Sequence, residues 1–115
     1  MAVTLHASGT QTATVTTEHS LGTAIVQGVY TFHVDTVNMV AGDILELRIY
    51  QIVLTGGTKR QAYFMAYYGA QPTHDLMKVS VPISNELTDA NSLEWTLKQT
   101  FGTGRAFPWK VLRHA

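Results

Sequence analysis

The side chains most able to do chemistry are spread along this chain and form no recognisable motif. Its five histidines are His6, His19, His33, His74 and His114. None of them has the short H-x-x-x-H spacing that brings two imidazoles to one metal ion. The chain has no cysteine, which excludes a disulfide framework and a thiolate metal site. We therefore predict no metal site and interpret the histidines as solvated or hydrogen-bonded groups.

Two short segments resemble functional motifs but lack essential parts of them. His74 and Asp75 are adjacent, yet the sequence has no G-x-S-x-G nucleophile elbow, so we interpret the pair as polar loop residues. The run Gly102-Thr103-Gly104-Arg105 lacks the Lys-Ser/Thr ending of a phosphate loop. It also lies between two predicted strands, whereas phosphate loops open a helix, so it predicts a hairpin turn.

The acidic side chains are the remaining candidates for catalysis, as a glycosidase carboxylate pair. Four of them fall on different predicted strands or strand ends: Asp35, Asp43, Glu46 and Glu94. Their separations cannot be deduced from the sequence. We interpret Asp43 as a turn residue that bonds its own backbone, and Glu46 with Arg48 as an ion pair on one strand face. With no catalytic motif in view, we predict that the protein is not an enzyme and binds no cofactor.

The elements that must position these side chains are strands. Apolar and polar residues alternate along most of the chain, with Gly, Pro and Asn between the runs and no sustained helical period. This pattern predicts an all-β, single-domain antiparallel β-sandwich over residues 1–115, jelly-roll-like, with about eight short strands. Its expected core residues are Tyr30, Phe32, Leu45, Leu47, Ile49, Phe64, Trp95, Leu97 and Trp109.

The segment 42–68 predicts one hairpin in detail. The pair Gly56-Gly57 suits a two-residue turn, because glycine tolerates the positive φ that such a turn requires. That turn pairs Tyr50 with Tyr63 and directs Phe64 to the core. The opposite face is then only half polar and carries Tyr50, Tyr63, Met65 and Tyr67. We predict that this face is a protein interface; the alternatives are a sugar-binding platform formed by Tyr50, Tyr63 and Tyr67, and simple packing of these side chains under a loop.

The N-terminal segment, residues 1–17, is β-prone but has few large apolar side chains. Alone it buries little surface against an ordering cost of about 1–2 kcal/mol per residue. We therefore predict an arm that another chain orders, with Val3 and Leu5 as interface residues. The C-terminal strand, residues 106–113, carries Phe107, Trp109 and Val111 on alternate positions and should belong to the core.

The charge pattern excludes some partners. Eight basic and eight acidic residues cancel and are scattered, so we predict no nucleic-acid binding. The apolar runs are far shorter than the roughly 20 residues that span a bilayer, so we predict no membrane partner. The first ten residues lack the basic and apolar regions of a signal peptide, which predicts synthesis in the cytoplasm. Only 14% of residues are charged, which favours a surface covered by partner subunits.

Residues 28–113 resemble a family of small virion structural proteins encoded near the capsid and tail genes of tailed bacteriophages. The most specific motifs are V-D-T-V-N-M-V-A-G-D, L-T-G-G-T-K-R and L-K-Q-T-F-G-T-G-R-A-F-P-W. The resemblance implies a virion component and brings no catalytic residues. Together with the residue patterns it predicts a decoration or cement protein on the capsid exterior, bound to the major capsid protein as a homo-oligomer, with a trimer favoured. The alternatives are a tail or baseplate component and a carbohydrate-binding β-sandwich used in host attachment.

Overall fold

The alternating runs form nine strands in a computed structural model of the chain, which describes residues 2–114. In chain order they are β1 (Val3–Thr12), β2 (Glu18–Ala24), β3 (Gly28–Asp35), β4 (Ile44–Gln51), β5 (Arg60–Tyr68), β6 (Met77–Val79), β7 (Ile83–Asn85), β8 (Leu93–Phe101) and β9 (Ala106–His114).

The strands build two antiparallel sheets that pack face to face. The first sheet has the order β1-β9-β3-β6, with β7 also paired to β3, and the second has the order β2-β8-β4-β5. Counting β6 and β7 as one interrupted strand gives eight strands in an order compatible with a jelly roll. The predicted all-β antiparallel sandwich is therefore confirmed.

The core lies between the sheets, where alternate residues of the central strands point inward. Its largest fully buried side chains include Trp95, Tyr30, Phe32, Phe107, Leu45, Ile49, Leu93 and Leu97. The Trp95 ring lies 5.5 Å, centroid to centroid, from the rings of both His6 and Tyr30. Trp109 packs at the margin of the core, where its indole lies against Gly9. Of the nine predicted core residues, Phe64 is the exception, with 42% of its surface exposed.

Phe64 is exposed because the β4–β5 register differs by one residue from the predicted one. Tyr63 pairs with Ile49, and Tyr50 pairs with Gln61 after a register shift. A shift of one residue turns every side chain of a strand to the other face. Tyr63, Met65 and Tyr67 therefore share the inner face of the second sheet, and the predicted outer face of four aromatic and methionine side chains is wrong.

The N-terminal segment is the edge strand of the first sheet. Strand β1 pairs with β9 of the same chain from Val3, opposite His114, to Thr12, opposite Ala106. A register shift between Leu5 and Ala7 leaves His6 without a partner on β9, and the His6 ring packs on Tyr30 and Trp95 inside the sandwich. The expected arm is thus an ordinary strand, which another chain is not required to order.

Candidate functional site

The six predicted interface residues lie in three separate places. Tyr50 points out from the second sheet, and Val3 and Leu5 point out from the first sheet with 56% and 61% of their surfaces exposed. The other three share the inner face of β5: Tyr63, Met65 and Tyr67. No single surface therefore contains them all.

The inner face of β5 closes one open margin of the sandwich. Tyr63 and Tyr67 pack against the core. Burial raises the pKa of Tyr67 to about 12, and the nearby Tyr63 and Asp75 act in the same direction. The buried ammonium of Lys78 lies 4.9 Å from the Tyr67 ring centroid and 3.0 Å from an Asp75 carboxylate oxygen. These contacts are structural, and they leave little of the two tyrosines for another protein to bind.

A polar groove lies on the outer face of the second sheet, with a volume of about 380 Å³. Its lining residues are Glu18, Ser20, Tyr50, Lys59, Glu94 and Thr96. Strand β8 lies between β2 and β4. Its outward side chains Glu94 and Thr96 therefore meet the outward side chains of both β2 and β4. Lys59 is the one lining residue outside a strand, in the connection that precedes β5.

Glu18 holds two hydroxyl groups on one oxygen. Its Oε2 accepts hydrogen bonds from the Tyr50 hydroxyl at 2.6 Å and the Thr96 hydroxyl at 2.7 Å. Burial alone would raise the pKa of Glu18, but these two bonds and the charges of Arg48 and Lys98 together lower it. The carboxylate is therefore ionised at neutral pH.

Glu94 is the second carboxylate of the groove. It accepts a hydrogen bond from the Ser20 hydroxyl at 2.6 Å and forms an ion pair with Lys59. Burial would raise the pKa of Glu94, yet the Lys59 and Ser20 bonds and the Lys59 charge lower it. A glycosidase acid needs a raised pKa so that it stays protonated. Two carboxylates with lowered pKa values suit the binding of hydroxyl groups better than acid catalysis.

The other acidic residues take the structural roles predicted for them. Asp43 is buried, and its Oδ2 accepts hydrogen bonds from the Val40 backbone N–H at 3.0 Å and from Arg105 Nε at 2.9 Å. Glu46 pairs with Arg48 at 2.8 Å. The turn interpretation of Asp43 and the ion-pair interpretation of Glu46 are confirmed. Sequence reasoning missed Glu18. The available signal was that Glu18 and Ser20 stand two positions apart at the start of β2, so that both side chains point to the same face.

The histidines take part in local hydrogen bonds or lie exposed, and the two loop motifs lie in connections between strands. His6 Nε2 lies 3.0 Å from the Thr23 carbonyl oxygen, and His19 Nε2 accepts a hydrogen bond from the Thr14 N–H at 3.0 Å. His74 lies exposed in a loop, and residues 102–105 form the turn between β8 and β9. Within residues 2–114, no group of three or more His, Asp or Glu side chains is arranged to hold a metal ion.

The outer face of the first sheet carries several large exposed apolar side chains, where an exposed sheet face is usually polar. Its exposed large side chains come from β1, β6 and the residues after β6: Val3, Leu5, Met77, Val79 and Val81, each 48–61% exposed. Between them lies a shallow groove of about 300 Å³, which we call the apolar groove, with Leu5, Met77 and Pro108 in its walls. Its lining also contains Ser8, His33, Asp35, Trp109 and Lys110, so one acidic and one basic residue stand among its apolar walls. Burial, helped by the charges of Lys110 and His114, lowers the pKa of His33, so that its ring is neutral at pH 7.

The structure thus defines an antiparallel β-sandwich with a polar groove on one outer face and an apolar groove on the other. Comparison with known protein families, characterised proteins and solved structures finds no match to this chain. The resemblance to phage virion proteins therefore stays a prediction. The part of the chain that the structure describes contains no helix long and apolar enough to cross a membrane.

Proposed function

We propose that this protein is a decoration protein of a tailed-phage head, which docks on the outside of the major-capsid lattice through the outer face of its first sheet. The observation that supports this role is the group of exposed apolar side chains around the apolar groove. Exposed apolar patches on small proteins mark surfaces that other proteins cover. The resemblance over residues 28–113 supports a virion component, and the choice of the major capsid protein as partner is part of the proposal.

The arrangement of this face suits a flat protein partner. Leu5 on β1 lies beside Leu112 on β9, and Val79 on β6 pairs with His33 on β3, so apolar side chains lie on both sides of the groove, with the His33–Lys110 pair between them. The neutral His33 ring adds no charge of its own, and the charged residues of the groove lining are Asp35 and Lys110. Burial of such a surface contributes about 25 cal/mol per Å² of apolar area.

The stabilising effect follows from mass action. A protein that binds only the expanded lattice stabilises it by about 2.7 kcal/mol per site when its free concentration is about 100 times Kd. Modest contacts at each site are enough for tight binding to the shell if the protein is a homotrimer. After one subunit has bound, the other two bind intramolecularly, which raises the overall affinity.

A charge placed on the apolar face tests the proposal. Leu5→Asp puts a carboxylate at the groove, and Leu54→Asp is the matched control, since Leu54 is similarly exposed (73% against 61%) but lies in the β4–β5 connection. Co-sedimentation should show wild type and Leu54→Asp bound to expanded heads and not to unexpanded proheads. Leu5→Asp should bind at least about tenfold more weakly, the effect of losing about 1.4 kcal/mol.

Two results would contradict this function. Unchanged binding by Leu5→Asp, with the variant shown to be folded by circular dichroism, would mean that the apolar face does not dock. Binding to purified tails and not to heads would assign the protein to the tail or baseplate.

A further inference from the structure

We propose that the polar groove on the second sheet binds a neutral saccharide through its hydroxyl groups. This groove lies on the sheet opposite the apolar face. The inference therefore goes beyond the docking role and does not depend on it.

The carboxylates of the groove already bind hydroxyl groups. Glu18 accepts from Tyr50 and Thr96, and Glu94 accepts from Ser20, all at 2.6–2.7 Å. Hydrogen bonds of this length to an ionised carboxylate are the strong, charge-assisted kind. Glu18 Oε1 accepts no hydrogen bond from any residue between 2 and 114, so it is free for a further hydroxyl donor.

The groove is rigid apart from one residue. Five of its six lining side chains stand on paired strands, and only Lys59 comes from a connection. The Lys59 ammonium lies 5.4 Å from the Tyr50 ring centroid. The Tyr50 ring itself lines the groove, and an aromatic ring of this kind can pack against the apolar face of a sugar ring. The volume of about 380 Å³ lies within the range of about 300–1,000 Å³ found for small-molecule sites.

The charges of the groove select against anions and leave no demand for a further cation. The free oxygen of the ionised Glu18 carboxylate disfavours a second carboxylate beside it, so uronic and sialic acids should bind less well than neutral sugars. Lys59 already pairs with Glu94, and the charges of Arg48 and Lys98 already act on Glu18. A basic peptide would have to displace these cations, whereas a neutral hydroxyl group needs only the free acceptor on Glu18.

Saturation-transfer NMR on the full chain tests the proposal with defined probes. The neutral probes are the methyl glycosides of glucose, galactose, mannose and N-acetylglucosamine, and the others are glucuronate, N-acetylneuraminate and a short oligolysine peptide. We expect transfer to at least one neutral glycoside at millimolar concentration and none to the two anions. Transfer to none of the neutral glycosides, or binding of the peptide alone, would overturn the proposal.

Matched variants locate the binding. Glu18→Gln keeps the size of the side chain but removes the charge, and it should weaken binding of the positive glycoside about tenfold, the loss expected for charge-assisted hydrogen bonds. Glu46→Gln is the control, because Glu46 points out from the same sheet but pairs with Arg48 outside the groove lining. Equal affinities of Glu18→Gln and wild type would overturn the assignment to this groove. Leu5→Asp should bind the glycoside as wild type does, which separates this proposal from the docking role.

Discussion

Alanine substitutions at Phe64 and Trp95 test the strand register on which both outer faces depend. Phe64 stands on the outer face of β5, 42% exposed, with the Arg48 guanidinium carbon 4.8 Å from its ring centroid. Trp95 is fully buried on β8. In the register predicted from the hairpin turn, both rings would lie in the core and the two substitutions would cost about the same.

The expected costs in unfolding free energy follow from burial. Trp95→Ala removes a buried ring and leaves a cavity, which costs about 3–5 kcal/mol. Full burial of a phenylalanine contributes about 1.5–3 kcal/mol, of which Phe64 realises somewhat more than half. The cation–π contact with Arg48 adds about 0.5–1 kcal/mol. Because the exposed site leaves no enclosed cavity, Phe64→Ala should cost about 1.5–2.5 kcal/mol in total.

Urea unfolding followed by far-UV circular dichroism measures both costs. The midpoints give the differences in unfolding free energy as long as the denaturant slope is unchanged. A loss for Phe64→Ala equal to that for Trp95→Ala would show that Phe64 points inward. The pairing of Tyr50 with Tyr63 would then replace the observed pairing, and the composition of the outer face of β5 would have to be revised.

Three further predictions concern the margins of the sandwich. The pKa of Tyr67 is raised from 10.0 to about 12 in the folded chain, so its contribution to stability is complete below pH 10 and is lost as the pH rises from 10 towards 12. Tyr67→Phe should therefore flatten the alkaline fall in urea midpoint, whereas Tyr68→Phe, at a 70% exposed side chain, should leave it unchanged. Asp43→Ala removes a buried ion-pair partner and should lower the unfolding free energy by about 3 kcal/mol. Glu46→Ala removes a surface ion-pair partner and should lower it by less than about 1 kcal/mol. Similar losses for the two variants would contradict the argument that burial makes the Asp43 ion pair the more important one. Deletion of residues 2–10 should lower the melting temperature of the free protein strongly, because β1 pairs with β9 of the same chain. An unchanged melting temperature would instead support the prediction that this segment is an arm ordered by another chain.

The sandwich itself was predictable because its central strands are strictly one-sided. In β3, the buried residues Tyr30, Phe32 and Val34 alternate with half-buried partners, and in β8 the apolar residues Leu93, Trp95 and Leu97 occupy alternate positions, although Thr96 between them is also buried. Alternation of this kind has one stable outcome, in which two sheets pair their apolar faces. At these positions the local pattern and the global fold agree, so the sequence alone is enough to predict the sandwich.

The hairpin register was not predictable, because distant contacts decide where the strands start. The glycines do form a turn, with Gly56 at a φ of 78° and the Gly57 N–H bonded to the Leu54 carbonyl. However, the Gly56 N–H donates to the Asp89 carboxylate, and the Ile52 N–H donates to the Ser92 carbonyl. These bonds hold residues 52–59 against the connection between β7 and β8, so the glycine turn does not set the pairing of β4 with β5.

The polar groove was hidden from the sequence for the same reason. The hydroxyl of Ser20 and the carboxylate of Glu94 are 74 positions apart, and Glu18 and Thr96 are 78 apart. They meet because β2 pairs with β8, and nothing local to either strand encodes that pairing. Sequence reasoning could name Tyr50 and Glu94 separately as polar or aromatic candidates, but not as neighbours.

The two outer faces can work at the same time because the sandwich separates them. Packed sheets lie about 10 Å apart, and the apolar groove and polar groove point in opposite directions from them. A copy docked on a shell through the first sheet therefore leaves the second sheet facing solvent, where the groove of Glu18 and Glu94 stays open. The pair Leu5→Asp and Glu18→Gln separates the two roles: each variant should lose one kind of binding and keep the other. Loss of both kinds of binding in either variant would point to a damaged fold and would remove the evidence for two separate surfaces.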